Sequence, residues 1–130
     1  MPYNVTSTEI TYDVTTADNT AHTYDIGLFD NSGTLVVDLG ATAGTIFAPA
    51  KGFTTVPWAQ GSTTLAAGRY YLGFTTTCTG TCAKIAAATA VVSFIINKSA
   101  GASSGGALST TVTPPADIWN TGIQPAVVIH

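Results

Sequence analysis

Cys78 and Cys82 are the only cysteines of the chain, set in the run Thr77-Cys78-Thr79-Gly80-Thr81-Cys82. The pair admits three chemistries. A tetrahedral metal site needs four nitrogen, sulfur or oxygen donors, and the only histidines, His22 and His130, show no zinc-motif spacing to the cysteines. A dithiol redox centre needs Cys-x-x-Cys at the start of a helix, whereas this spacing is one residue longer and lies in a Thr/Gly loop. A disulfide across a strand-end turn fits best, with Gly80 permitting the bend and two free thiols as the alternative. Closing so short a loop stabilises by about 2 kcal/mol in the chain-entropy account. A disulfide here implies an oxidising compartment, such as the outside of a cell or particle. No metal and no cofactor is expected.

The other groups able to do chemistry are seven carboxylates: Glu9, Asp13, Asp18, Asp25, Asp30, Asp38 and Asp117. A glycosidase needs two of them facing each other across a scissile bond. Most of the aspartates instead fall at strand and turn positions, where they have ordinary structural roles: Asp30 opens a turn, and Asp13 and Asp25 are expected on outward strand faces. No Asp-x-Asp-x-Asp loop offers a calcium cage. Ser-x-x-Lys does not occur, and the Gly/Ser run at 101–106 lacks the lysine of a phosphate loop. No residue is assigned a catalytic role, and the chain is expected not to be an enzyme.

Two tryptophans stand in loop-like settings, Trp58 in Val56-Pro57-Trp58-Ala59-Gln60-Gly61 and Trp119 in Asp117-Ile118-Trp119-Asn120-Thr121-Gly122. Flat indole faces stack on the C–H surfaces of sugars while neighbouring amides bond hydroxyls, so Trp58, Trp119 and Asn120 are candidate glycan contacts. The plainer alternative is that each indole plugs one end of a small sandwich or sits at a subunit interface, where Trp is enriched.

The elements that must position these groups read as strands. Ile10, Tyr12 and Val14 alternate with polar residues, the pattern of a half-buried strand. Tyr24, Ile26 and Leu28 form a second apolar face, Asp30-Asn31-Ser32-Gly33 a turn, and Thr34 to Leu39 the return, which makes 23–39 a hairpin. Glycines and prolines punctuate 40–61, so strands there are short, Phe53 to Trp58 being the best candidate. Ser62 to Leu65 and Arg69 to Thr77 follow as strands, the second with Tyr70, Leu72 and Phe74 on one face. The Ala-rich start of 85–96 resembles a helix turn, while Val91 to Ile96 reads as a strand buried on both faces. Residues 97–106 are small and polar, a flexible loop, and Ala126 to Ile129 reads as a closing strand. About seven to nine short strands in one domain over 1–130 predict an all-β fold, an antiparallel β-sandwich of jelly-roll-like form.

Composition agrees and excludes partners. Only 8% of residues are charged, against about 25% in typical globular chains. Four cations and a net charge of −3 make a nucleic-acid partner unfavourable. The longest apolar run is too short to span a bilayer as a helix, so no membrane partner is expected, and Met1-Pro2-Tyr3-Asn4 does not open like a cleavable signal. The polar surface is built instead from some two dozen threonines, whose β-branched side chains suit pleated strands.

Three segments carry a resemblance. Tyr24-Asp25-Ile26-Gly27-Leu28-Phe29-Asp30-Asn31-Ser32-Gly33-Thr34-Leu35-Val36 resembles the strand–turn–strand of phage virion proteins, particularly tail-fibre and related appendage domains. Thr64-Leu65-Ala66-Ala67-Gly68-Arg69-Tyr70-Tyr71-Leu72-Gly73-Phe74 is similar to another element of such domains, one that extracellular carbohydrate-binding sandwiches share for structural reasons. The ending from Pro114 to Ile129 is similar to their closing strand. The resemblance implies a non-enzymatic virion structural or host-attachment role, in a virion or extracellular location, and names no binding residue. Its implied partners are copies of the same chain in a homo-oligomer, with a trimer favoured, other virion proteins, and a cell-surface glycan. A monomeric carbohydrate-binding module or lectin is the alternative.

Overall fold

The computed structural model describes residues 1–89, 106–113, 123–125 and 127–129. They form an all-β, antiparallel sandwich in which two four-stranded sheets are each built around one central strand. In the first sheet that strand is β2 (Glu9–Thr16), whose alternation puts Ile10, Tyr12 and Val14 inward. β6 (Gly52–Pro57) pairs along one edge of β2, while β12 (Val127–Ile129) and β9 (Lys84–Ile85) share the other. In the second sheet the centre is β3 (Thr23–Phe29). β8 (Tyr71–Thr76) covers one edge of β3, and β4 (Leu35–Asp38) and β5 (Thr42–Ala43) divide the other. Two small ribbons complete the described residues: β1 (Val5–Ser7) with β7 (Thr63–Leu65), and β10 (Ala87–Thr89) with β11 (Ile123–Pro125).

The core lies between the inner faces. Ile10, Tyr12, Val14 and Val56 of the first sheet meet Tyr24, Ile26, Leu28, Val37 and Leu39 of the second side of the sandwich. One helical turn, α1 (Gly44–Phe47), emerges from the punctuated stretch and inserts Phe47 among them. The Phe47 ring stacks on Tyr12 and Tyr24, with centroids 4.8 and 4.7 Å away. The Tyr12 hydroxyl donates to the Phe47 carbonyl at 2.8 Å, so the polar tip of a buried ring is satisfied. The hairpin at 23–39 is present: Asp30 Oδ1 accepts from the Ser32 and Thr34 amides at 2.8 and 2.9 Å, and Gly33 supplies the positive φ of 84°.

Several expectations are corrected. Asp25 does not face outward but is fully buried, because residues 106–113 run over the outer face of the second sheet. Leu35 donates to the Thr110 carbonyl at 2.8 Å and Val112 to the Gly33 carbonyl at 2.8 Å, tying that strap to the hairpin. Gly27 and Gly73 make the approach possible. A Cβ on Gly27 would meet the Val37 carbonyl at 2.6 Å and Leu108 Cδ1 at 2.9 Å, and one on Gly73 the Phe29 ring at 2.5 Å. In β8 the deeply buried ring is Tyr71, while Phe74 lies half open. The Ala-rich stretch is strand, not helix turn. The strand count rises to twelve among the described residues, since several are two- or three-residue pieces. The expected strand over 91–96 and nearly all of the loop over 97–106 lie outside the described residues.

Candidate functional site

The loop from β2 into β3 carries the densest polar cluster of the described residues. Asp18 is buried there, and its backbone amide donates to the Ala48 carbonyl at 3.0 Å. Its Oδ1 accepts from the Thr20 amide at 3.0 Å and the Thr20 hydroxyl at 2.5 Å. Its Oδ2 accepts from the Tyr24 hydroxyl and lies 2.8 Å from His22 Nδ1. These bonds, from Thr20 first and Tyr24 second, hold the Asp18 carboxyl well below the usual carboxylate range, against the opposing effect of burial. Because Thr20 spends its proton on Asp18, its oxygen, 2.7 Å from His22 Nδ1, is an acceptor there. Both neighbours of Nδ1 then accept, which places a proton on Nδ1.

The same cluster abuts the cysteines. Cys78 and Cys82 are joined in a disulfide with Cα atoms 5.6 Å apart. The β3–β8 register pairs Tyr24 with Thr76, and beyond it Thr77 donates its amide to the Thr23 carbonyl at 3.0 Å. That register delivers Cys78 to the side of His22. The Tyr24 hydroxyl closes the connection, accepting from the Ala83 amide at 2.9 Å while it donates to Asp18. Burial, and then the bond to Asp18, push the Tyr24 phenol up, so it stays a proton donor. Asp18, His22 and Cys78 each present one donor atom, all within 4.8 Å of one another.

A second acidic pair sits under the strap. Asp25 Oδ1 accepts from the Leu39 amide at 3.2 Å and Oδ2 from the Leu108 amide at 2.8 Å. Desolvation pushes its carboxyl up to about 6, the neighbouring Asp38 charge adding to that and the Leu108 bond opposing it. Asp38 Oδ1 accepts from Gln60 Nε2 at 2.6 Å. Asp25 is sealed from solvent, so the pair locks β3, β4 and the strap together and offers no reacting surface.

Of the candidate glycan contacts, Trp58 is corrected. It is 3% exposed, packs in the core, and its Nε1 donates to Ser7 Oγ at 2.7 Å, so it presents no face to a sugar. Trp119 and Asn120 lie outside the described residues. Asp18 and His22 were not recognised as a site from the sequence. The available signal was Asp18-Asn19-Thr20-Ala21-His22, three polar side chains at alternate positions, but their proximity to Cys78 depends on the pairing of Tyr24 with Thr76, from segments far apart in the chain.

The outer surface is apolar in places. Phe53 on β6 is 85% exposed, and Tyr3, Ile46 and Phe74 are also open. Phe53 stands opposite Asp13 in the β2–β6 ladder, near the contact of Thr11 and Thr55 hydroxyls at 2.7 Å. Among the described residues β2 is the only strand that pairs with β6. No helix of the described residues is long and apolar enough to cross a membrane. The molecule belongs to the class of all-β antiparallel sandwiches, with one disulfide beside a pair formed by the buried Asp18 and the partly exposed His22. Comparison with family models, curated proteins and solved structures finds no match to this chain.

Proposed function

We propose that the chain is a non-enzymatic virion appendage domain, of the tail-fibre or surface-decoration type, that assembles with copies of itself as a homotrimer. The observation that carries the assembly reading is Phe53, an almost fully exposed ring on β6, a strand with an open edge among the described residues. An exposed aromatic on an unpaired edge is a liability in a monomer and a natural contact for a second copy. Low charge supports the same reading, because chains with 8% charged residues repel one another weakly. The virion assignment rests on the three sequence segments that resemble phage appendage domains.

Phe53→Lys tests the contact. It places a charge on the open ring position, and the oligomer is expected to dissociate to monomer by light scattering while the far-UV β signal is kept. An oligomer unchanged in mass removes Phe53 and β6 from the interface. The carbohydrate-binding alternative keeps only Trp119 and Asn120, since Trp58 is closed off. Glycan binding by a monomer, abolished in Trp119→Ala, would replace the assembly reading.

A further inference from the structure

We propose that reduction of the Cys78–Cys82 disulfide opens a binding site for one soft divalent cation of the zinc type, held by Cys78, His22 and Asp18, with Cys82 as the second sulfur ligand. Two cysteines and a histidine would not by spacing alone make a zinc site; the fold adds what spacing lacks. Donor atoms of Asp18, His22 and Cys78 already lie within 4.8 Å of one another. Tetrahedral ligands about 2.0–2.3 Å from one ion lie about 3.3–3.8 Å apart, so side-chain rotations of about an ångström bring these donors onto a common ion. The Cα atoms of Cys78 and Cys82 are 5.6 Å apart, which lets both sulfurs reach a common ion. Mixed thiolate, imidazole and carboxylate donors select zinc-like cations over calcium or magnesium, which take oxygen alone.

The rest of the cluster orients the ligands: the Thr20 and Tyr24 hydroxyls donate to the Asp18 carboxyl group and fix it beside His22. His22 is one-third exposed, which leaves a path from solvent to a buried carboxylate. In the oxidised chain the sulfurs carry no thiolate charge, and Asp18 and His22 satisfy each other, so the ion has no adequate ligand set. A dithiol reductant delivers two electrons and two protons, the S–S bond breaks to two thiols, and the reductant leaves as its own disulfide. Binding of the cation then releases the two thiol protons to solvent. Disulfide and metal are alternative staples for the same turn, one for oxidising and one for reducing conditions.

Cobalt(II) titration of the full chain tests this, after reduction by a phosphine that ends as its oxide with oxygen from water. The reduced chain is expected to gain thiolate-to-cobalt charge-transfer absorption saturating at one equivalent, and the oxidised chain none. His22→Ala is expected to weaken binding by at least about tenfold. Cys82→Ser, which cannot form the disulfide, should also bind more weakly than the reduced parent. The proposal is overturned if the reduced chain shows no such absorption, if His22→Ala binds as the parent does, or if reduction alone abolishes the far-UV β signal.

Discussion

At the scale of single residues, two buried aspartates behave in opposite ways. Asp25 has its carboxyl pushed up to about 6 by desolvation, above an unfolded value of about 3.9. The native state then binds more protons than the unfolded state between those values, so stability falls as pH rises from about 4 to about 6. The span amounts to something on the order of 2–3 kcal/mol. Urea melts across this window check it, and Asp25→Asn is expected to flatten the slope. Asp18 is depressed instead, so its contribution is present above its unfolded value and disappears in stronger acid, below the Asp25 window. Cys82→Ser is expected to cost about 2 kcal/mol in chemical denaturation of the oxidised protein. The sequence told little of either aspartate: alternation in 24–28 placed Asp25 outside, because nothing local shows that a second layer covers a strand already packed on its other face.

At the scale of elements, alternation was a good guide wherever one face of a strand meets the core and the other meets water. β2 follows the expected alternation, the 23–39 hairpin closes at its Asp30 turn, and β6 and β7 fall where short strands are expected. The pattern misleads where tertiary packing decides. β3 is buried on one face by the core and on the other by the strap at 106–113, a close approach that depends on Gly27 and Gly73, which in sequence look only like weak strand residues. α1 had no helical signal at all. It is a single turn whose purpose is to set Phe47 between Tyr12 and Tyr24, and packing rather than propensity holds it. Phe47→Ala is therefore expected to cost about 3–5 kcal/mol, read as a lower urea midpoint with an unchanged slope. Gly27→Ala should loosen the strap, seen as faster amide exchange at Leu35 and Val112, whose bonds span it.

At the scale of the whole molecule, composition alone was enough for the fold class. Many threonines, few charges and sufficient apolar residues leave an all-β domain as the economical solution, and the sandwich is what the described residues form. The polar cluster at the disulfide was out of reach by the same route, because it is assembled from the β2–β3 loop and the segment after β8. The virion assembly reading belongs to this scale as well. As a proposal it rests on an exposed aromatic on an edge that is open among the described residues, a low charge content, and the resemblance of three segments to appendage domains. The most direct test is the absolute mass of the oxidised chain by light scattering on a sizing column, at two concentrations. A concentration-independent mass of three chains, each 13.2 kDa, is the predicted result. A mass of one chain at micromolar concentration would contradict it.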